Sequence, residues 1–257
     1  MAMGSHGESF VACLRQGTGG SEGEKYLLPL RHSPAFVISV NHLAINNTID
    51  LIVTVKPLTS IIMDSHGLVG QIAKNKAKDL AKVVKAHPEI VDATDDDGMM
   101  LLHHAAKDNA VECIAVLLDA DARINAQDTK HGWTPMHHAV EALSVQAVKA
   151  LLAAPSLDLT VQATAYGGYT PLILTVVNID CGDDMADVRA DQCDRRETIL
   201  RDILVYYSEH DDLDVNALAG NDTHILAFVE DITKHSDYER SFYARMAEML
   251  INHGAAR

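Results

Sequence analysis

Two histidine pairs, His103-His104 and His137-His138, are the side chains whose type and spacing most invite chemistry in this sequence. Imidazole nitrogens bind zinc at about 2.0–2.1 Å, so the ligands of one ion must converge on a single point. No GxSxG, P-loop or HExxH motif occurs, and no cysteine–histidine arrangement typical of a nucleophile is present. We therefore expect no catalytic residue, and the pairs are either metal ligands or structural side chains.

Three aspartates directly before Gly98 look like part of a calcium-binding loop. In an EF-hand loop, oxygen ligands stand at positions 1, 3, 5 and 12, and a glycine stands at position 6. With Gly98 at position 6, Ala93 falls at position 1 and His104 at position 12. Neither side chain supplies an oxygen ligand, so the match fails twice and we expect no calcium site and no cofactor.

Four cysteines occur, and none belongs to a CxxC pair. This usage favours a reduced chain inside the cell, and we expect a cytoplasmic protein. Cys181 and Cys193 lie twelve residues apart in an acidic stretch, where they could bind a cation or form a disulfide.

The formal net charge of −15 is distributed unevenly along the chain. Residues 1–62 hold four basic and four acidic side chains, so the whole excess of negative charge lies on residues 63–257. An acidic surface repels phosphate backbones and anionic lipids, so we expect neither nucleic acid nor a membrane as partner. A protein with a basic surface is the partner that this charge favours.

Both histidine pairs lie in copies of one repeated segment. The copies read GMMLLHHAA at 98–106, GWTPMHHAV at 132–140 and GYTPLILTV at 168–176, with a weaker NDTHILAFV at 221–229. Their third residues are spaced by 34, 36 and 53 positions, and a second apolar segment such as VQAVKALLAA follows each copy. Threonine before proline predicts a helix start, because threonine caps the first turn and proline suits the first helical position.

This unit resembles the ankyrin repeat, which has a period of about 33 residues and a TPLH-type start. WTPMHHAV followed by a VKALL helix is the most specific match, and the resemblance covers about residues 64–257. It implies an all-α ankyrin-repeat solenoid of about five helix–turn–helix units with hairpin-like loops. The predicted units are 64–97, a lysine-rich cap, then 98–131, 132–167, 168–220 and 221–257.

The resemblance also gives the histidine pairs a structural role. The first histidine of each pair falls on the TPLH position, where ankyrin histidines make backbone and inter-repeat hydrogen bonds. Equivalent residues of neighbouring units lie about 10 Å apart, from the spacing of packed helices. That distance is too long for two ligands of one zinc ion, so we expect structural histidines and no metal.

Two insertions interrupt the last repeats, at about 179–196 and 231–240. They fall at the same place in neighbouring units, so they are either solvated loops or lengthened helices, or a second, acidic contact surface. An enzyme or metal-binding protein that uses these insertions is the alternative function.

Residues 1–62 match no repeat and form the first of two predicted domains, with 63–257 as the second. We predict that residues 1–62 are poorly ordered or form a β-hairpin around Asn46-Asn47-Thr48. Met63 stands just before the first predicted helix and could be the natural first residue, in which case residues 1–62 are not native.

The resemblance implies a non-catalytic, monomeric adaptor, scaffold or inhibitor that binds a basic or mixed protein surface through its concave face and loop tips. Met99, Trp133 and Tyr169 share one repeat position and are predicted to form an exposed apolar ladder bordered by acids. In the other reading, Trp133 only covers the neighbouring hairpin. The implied contact residues are Asp96, Asp97, Met99, Lys107, Asp108, Lys130, His131, Trp133, Glu141, Tyr166, Tyr169, Asn178, Asp222 and Glu230.

Overall fold

A computed structural model divides the chain into two compact units, Met1–Gly67 and Leu68–Arg257. In the first unit it describes the four strands given below. In the second it describes residues 67–165, 167–177, 186–210, 213–216, 224–235 and 240–255.

The first unit contains an antiparallel sheet with strand order β1-β4-β3-β2. The strands are β1 (Phe10–Arg15), β2 (Tyr26–Leu28), β3 (Phe36–Ile45) and β4 (Thr48–Pro57). Strands β3 and β4 pair from Ile45 opposite Thr48 to Phe36 opposite Pro57, around the asparagines where the sequence suggested a hairpin. Two further strands join them, so the sheet is larger than that single hairpin.

The second unit is helical in its described ranges. A short 3₁₀ turn, Pro88–Ile90, follows the second helix. The helices are α1 (Leu68–Ile72), α2 (Ala77–Ala86), α3 (Leu101–Lys107), α4 (Val111–Leu118), α5 (Pro135–Glu141), α6 (Val145–Leu152), α7 (Pro171–Leu174), α8 (Ala186–Glu209), α9 (Ile225–His235) and α10 (Arg240–Asn252).

Two layers of helices build this unit. The first helices of successive repeats, α1, α3, α5 and α7, contact one another in order, and so do the second helices α2, α4, α6, α8 and α10. Fully buried aliphatic side chains such as Leu101, Ile114 and Leu151 fill the space between the layers. Helices this short cannot bury their apolar faces alone, so stacking on neighbours stabilises them. The all-α solenoid that the repeat predicts is confirmed for this unit.

The predicted helix starts are present in the third and fourth repeats. Thr134 Oγ1 accepts the backbone N–H of His137, and Thr170 Oγ1 accepts that of Ile173, each at 3.4 Å. Proline stands at the first helical position in both helices. In the second repeat Met100 replaces the threonine, but its backbone N–H still donates to His103 Nδ1 at 3.0 Å, as Thr134 N–H donates to His137 Nδ1 at 3.2 Å.

Backbone hydrogen bonds join the tips of neighbouring hairpins. Thr129 N–H donates to Asp97 O at 3.1 Å, and Ala165 N–H donates to His131 O at 3.0 Å. The approach is so close that a Cβ on Gly132 would lie 2.6 Å from the backbone nitrogen of Thr164. Glycine is required there, since its φ of +67° is also one that other residues rarely adopt.

The insertions lengthen helices where the structure describes them. Helix α8 has 24 residues, whereas α4 and α6 have 8 each, so 186–196 of the predicted insertion is helical. Residues 231–235 extend α9, and residue 240 begins α10. No helix in the described ranges is long and apolar enough to cross a membrane.

The buried side chain of Arg196 ties the lengthened α8 to the end of α7. Its guanidinium donates to Val177 O at 3.1 Å and to Thr175 O at 3.5 Å. Those carbonyls follow the last residue of α7, and carbonyls at a helix end need donors from outside the helix. The end of this insertion is therefore part of the folded core.

Candidate functional site

The predicted ladder residues Met99, Trp133 and Tyr169 each stand directly before the N-cap of a first helix. Each carbonyl accepts an N–H from the opposite side of its own hairpin, from Asp95, Asp128 and Ala163 in turn. Trp133 and Tyr169 are half-buried, whereas Met99 is only 8% exposed. The prediction of three exposed rungs is therefore wrong for Met99, which is buried.

Seven of the predicted contact residues line one cleft of about 250 Å³ between neighbouring repeats. The structure adds Asp128, His138 and Ala142, which the sequence analysis did not select. The predicted members are Asp97, Met99, Lys107, Lys130, His131, Trp133 and Glu141.

Asp96, Asp108, Tyr169 and Glu230 are not among the residues that line this cleft. Asp96 and Asp108 are exposed, and Glu230 is half-buried on α9. Tyr166, Asn178 and Asp222 lie outside the described residues.

Asp128 holds the hairpin that carries Trp133. Its Oδ1 accepts the backbone N–H groups of His131 at 2.7 Å, Gly132 at 2.9 Å and Trp133 at 3.4 Å. Its side chain is 1% exposed, and Oδ2 accepts His138 Nε2–H at 2.7 Å. Burial alone would raise the pKa of Asp128, but the hydrogen bonds from His131 and His138 outweigh it and hold that pKa below the ordinary value. The carboxylate is therefore a buried anion whose acceptor sites are well used.

His138 is the neutral partner of this anion. Burial lowers the pKa of His138 to about 4, although the hydrogen bond to Asp128 opposes the change. Its ring lies edge-on to the indole of Trp133, with centroids 5.2 Å apart, and edge-on to the ring of His103, at 5.5 Å. His138 therefore packs against the indole of Trp133 and holds it in place.

The first histidine of each pair makes the hydrogen bonds that the ankyrin resemblance implies. His103 Nε2 lies 3.0 Å from Ala126 O and 3.2 Å from Trp133 O, and His137 Nε2 lies 3.0 Å from Tyr169 O. The bonds to Trp133 and Tyr169 reach the neighbouring repeat, whereas the bond to Ala126 stays within the repeat of His103. Burial lowers the pKa of His137 to about 4, so its ring is neutral near pH 7.

Metal chemistry finds no support in the described part of the chain. No group of three or more histidine, cysteine, aspartate or glutamate side chains there could hold an ion. Cys181 lies outside the described residues, so the cation site or disulfide considered with Cys193 stays a prediction.

An aromatic side chain that the sequence analysis missed extends the ladder. Phe228 on α9 lies edge-on to Tyr169, with ring centroids 6.4 Å apart. Spacing could not reveal this contact, because the long insertion separates the two residues along the chain. The role of Asp128 did leave a signal, since Asp95 occupies the same hairpin position one repeat earlier.

The hairpin aspartate and the helix histidine form a unit that is kept or replaced as a whole. Asp95 and His104 are joined at 2.9 Å in the second repeat, as Asp128 and His138 are in the third. In the fourth repeat the hairpin position is Ala163 and the helix position is Leu174, both buried. A buried hydrogen-bonded pair or a buried apolar pair is stable, whereas one polar member alone is not.

Comparisons with known proteins agree with this architecture. A family model of ankyrin repeats, with three copies, matches residues 70–163. The NF-kappa-B p105 subunit of Mus musculus is 37% identical over 93 residues, which are 36% of this chain and 9% of that protein. The p105 subunit of Gallus gallus is 31% identical over 116 residues, or 43% of this chain and 12% of that protein.

A viral protein is also similar. The I-Kappa-B like protein G2 of Microplitis demolitor bracovirus (isolate Webb) is 38% identical over 74 residues, which are 29% of this chain and 43% of that protein. The chain thus spans only about a tenth of the p105 subunits and under half of the viral protein. The repeated hairpins, the paired helices and the matched family model together show that residues 70–163 of this chain consist of ankyrin repeats.

Proposed function

We propose that this protein is a non-catalytic adaptor, scaffold or inhibitor that binds another protein through its hairpin tips and first helices. The observation that carries the proposal is the cleft around Trp133, which gathers seven of the implied contact residues. Trp133 is half-buried, and its indole packs against the rings of His138 and His131, so it is a fixed, partly exposed aromatic side chain. Fixed aromatic residues of this kind dominate binding energies at protein interfaces.

The charge of the surroundings favours a basic or mixed partner surface. Asp96, Asp97 and Asp108 are exposed beside the cleft, on a chain with a net charge of −15. Long-range electrostatic attraction raises association rates with basic proteins, and electrostatic repulsion lowers them with acidic ones.

The names of the similar proteins suggest which partners to test first. The p105 proteins are named as subunits of NF-kappa-B, and the viral protein is named I-Kappa-B like. An NF-kappa-B subunit is therefore the first candidate partner, and an inhibitor is the first candidate role. The free, buried thiol of Cys113 agrees with a reducing cytoplasm, where we propose that the protein acts as a monomer.

A binding measurement with purified NF-kappa-B dimers tests this proposal. Trp133→Ala is expected to weaken binding at least about tenfold, as loss of an interface anchor does. Val205→Ala, at a 43% exposed position on α8, is the matched control and should bind as the unaltered chain does. Circular dichroism checks that both variants remain helical.

The result that contradicts the proposed surface is equal affinity of the Trp133→Ala variant and the control for a partner that binds the unaltered chain. If no NF-kappa-B dimer binds, the proposed partner is wrong. The same pair of variants then tests the surface against proteins recovered by cross-linking.

A further inference from the structure

We propose that the cleft beside Trp133 takes an arginine side chain of the partner, with His138 as the fixed hydrogen-bond acceptor at its floor. This inference rests on the proposed function and specifies the residue that the partner inserts. A volume of about 250 Å³ suits one long side chain. Pockets for whole drug-sized ligands or cofactors are commonly about 300–1,000 Å³.

The floor of the cleft presents an acceptor because of the hydrogen bond beneath it. His138 Nε2 is 2.7 Å from the Asp128 carboxylate, so Nε2 carries the proton of the neutral ring. A neutral imidazole has one donor and one acceptor nitrogen, so Nδ1 is the acceptor. The described residues give Nδ1 no hydrogen-bond partner, and the His138 ring lines the cleft. An occupant with N–H donors satisfies this nitrogen, whereas a carboxylate does not.

The hydrogen bonds of Asp128 hold the His138 ring so that its acceptor nitrogen remains towards the cleft. Asp128 is held by the backbone N–H groups of His131 and Gly132 as well as by His138. Turning the ring to offer an N–H to the cleft would break the bond to a buried carboxylate. The preference for a donor is therefore built into the fold of the hairpin.

The wall of the cleft is the indole of Trp133. A guanidinium group is planar and stacks on aromatic faces, where the ring quadrupole attracts a cation. Its five N–H groups can reach the acceptor at the floor and a carboxylate at the rim at once. Glu141, at the end of α5, supplies a carboxylate to the lining.

The charged side chains of the lining leave one group that opposes this occupant. The lining contains three carboxylates, Asp97, Asp128 and Glu141, and two ammonium groups. One of the two, Lys130, forms an ion pair with Asp97 at 3.1 Å. Lys107 is the other cation, and it is exposed at the end of α3. Its flexible stem lets the ammonium group stay in water, whereas His138 and Asp128 cannot move aside. His138 and Asp128 thus favour an occupant with hydrogen-bond donors, and Lys107 only weakens this preference.

The single tryptophan of the chain makes the test direct, because its indole N–H gives one resonance in a heteronuclear NMR spectrum. The probes are N-acetyl-arginine, N-acetyl-lysine and N-acetyl-glutamate, each as the N-methylamide. The arginine amide is expected to shift the Trp133 resonance with saturation in the millimolar range, as the efficiency of small ligands allows. The lysine amide should bind several-fold more weakly, and the glutamate amide should leave the resonance in place.

Two variants should change the affinity for the arginine amide in opposite directions. Lys107→Met should strengthen arginine binding several-fold, because it removes the opposing cation. The double variant Asp128→Ala with His138→Leu copies the apolar pair of the fourth repeat, removes the acceptor and should weaken arginine binding at least tenfold. If the double variant proves unfolded by circular dichroism, the sign of the Lys107→Met effect decides alone.

Preference for the glutamate amide, or a loss of arginine binding in Lys107→Met, overturns the inference. An unmoved Trp133 resonance with every probe also overturns it. If Trp133→Ala still abolishes partner binding in that case, the proposed function stands and only the arginine is wrong.

Discussion

The carboxylate of Asp128 accepts a 2.7 Å hydrogen bond from the imidazole of His138, and this bond joins a hairpin to the helix that follows it. Asp128 also collects backbone N–H groups from the hairpin tip, while His138 touches the indole of Trp133. One pair therefore determines both the shape of the tip and the position of the tryptophan.

Exchange of this pair for an apolar one should cost less than the sum of the two single replacements. Asp128→Ala is expected to lower the free energy of unfolding by about 3 kcal/mol, because four donors lose their acceptor, among them buried His138. In the double variant with His138→Leu, the loss should fall below the sum of the two single losses by about 1–3 kcal/mol. Urea titration measures these values. Asp92→Ala, at an exposed ion pair with Arg123, is the control and should change stability by less than about 1 kcal/mol.

Acidification should destabilise the protein between about pH 6.5 and pH 4. Burial lowers the pKa of both His137 and His138 to about 4, whereas an unfolded histidine titrates near 6.5. The unfolded chain therefore binds protons first as the pH falls, so stability is complete above about pH 6.5 and decreases below it. Each histidine accounts for on the order of 3 kcal/mol over this range.

Thermal unfolding in buffers from pH 7 to pH 4 measures this loss. The double variant that replaces Asp128 and His138 should show a shallower decrease, because it has one buried histidine fewer. His87→Gln, at an exposed histidine, should follow the unaltered chain. A stability that stays constant down to pH 4 would show that these rings are not buried and neutral.

A methyl group at Gly132 should separate two hairpin tips. The added Cβ would lie 2.6 Å from Thr164 N and 2.2 Å from Thr164 Oγ1, so the neighbouring backbone must shift. Gly167→Ala is a matched control, because its φ is also positive but its nearest neighbour, the Tyr169 ring, is 3.5 Å away. Gly132→Ala should therefore cost about 1–3 kcal/mol more than Gly167→Ala in a urea titration. Equal costs would mean that backbone strain alone, and not the contact between tips, requires glycine.

Replacement of Arg196 should loosen the end of α7. Arg196→Met keeps most of the buried stem but removes the donors to the Thr175 and Val177 carbonyls. We expect a loss of about 2 kcal/mol and faster hydrogen exchange of the amides in α7. Arg195→Met, which removes an exposed bond to Asp191 one turn away, should change stability by less than about 0.5 kcal/mol. Comparable losses in the two variants would argue against a structural role for the buried guanidinium.

Local signals in the sequence were sufficient to predict the repeats. The threonine caps and the prolines after them act within one helical turn, so they can be read without knowledge of neighbouring repeats. The same signals located seven residues of the cleft, because a repeat places equivalent residues side by side. The length of α8 was harder to predict, since its first turns interrupt the period from which the helix boundaries were read.

The sequence by itself determined that the second unit contains ankyrin repeats, and it predicted seven of the residues that line the cleft. Only the tertiary structure decided that Met99 is buried, that His138 supports Trp133 and that Phe228 reaches Tyr169. The reason is physical. Helix caps and periodicity depend on residues a few positions apart, whereas the burial of a hairpin residue depends on how closely the next repeat lies against it.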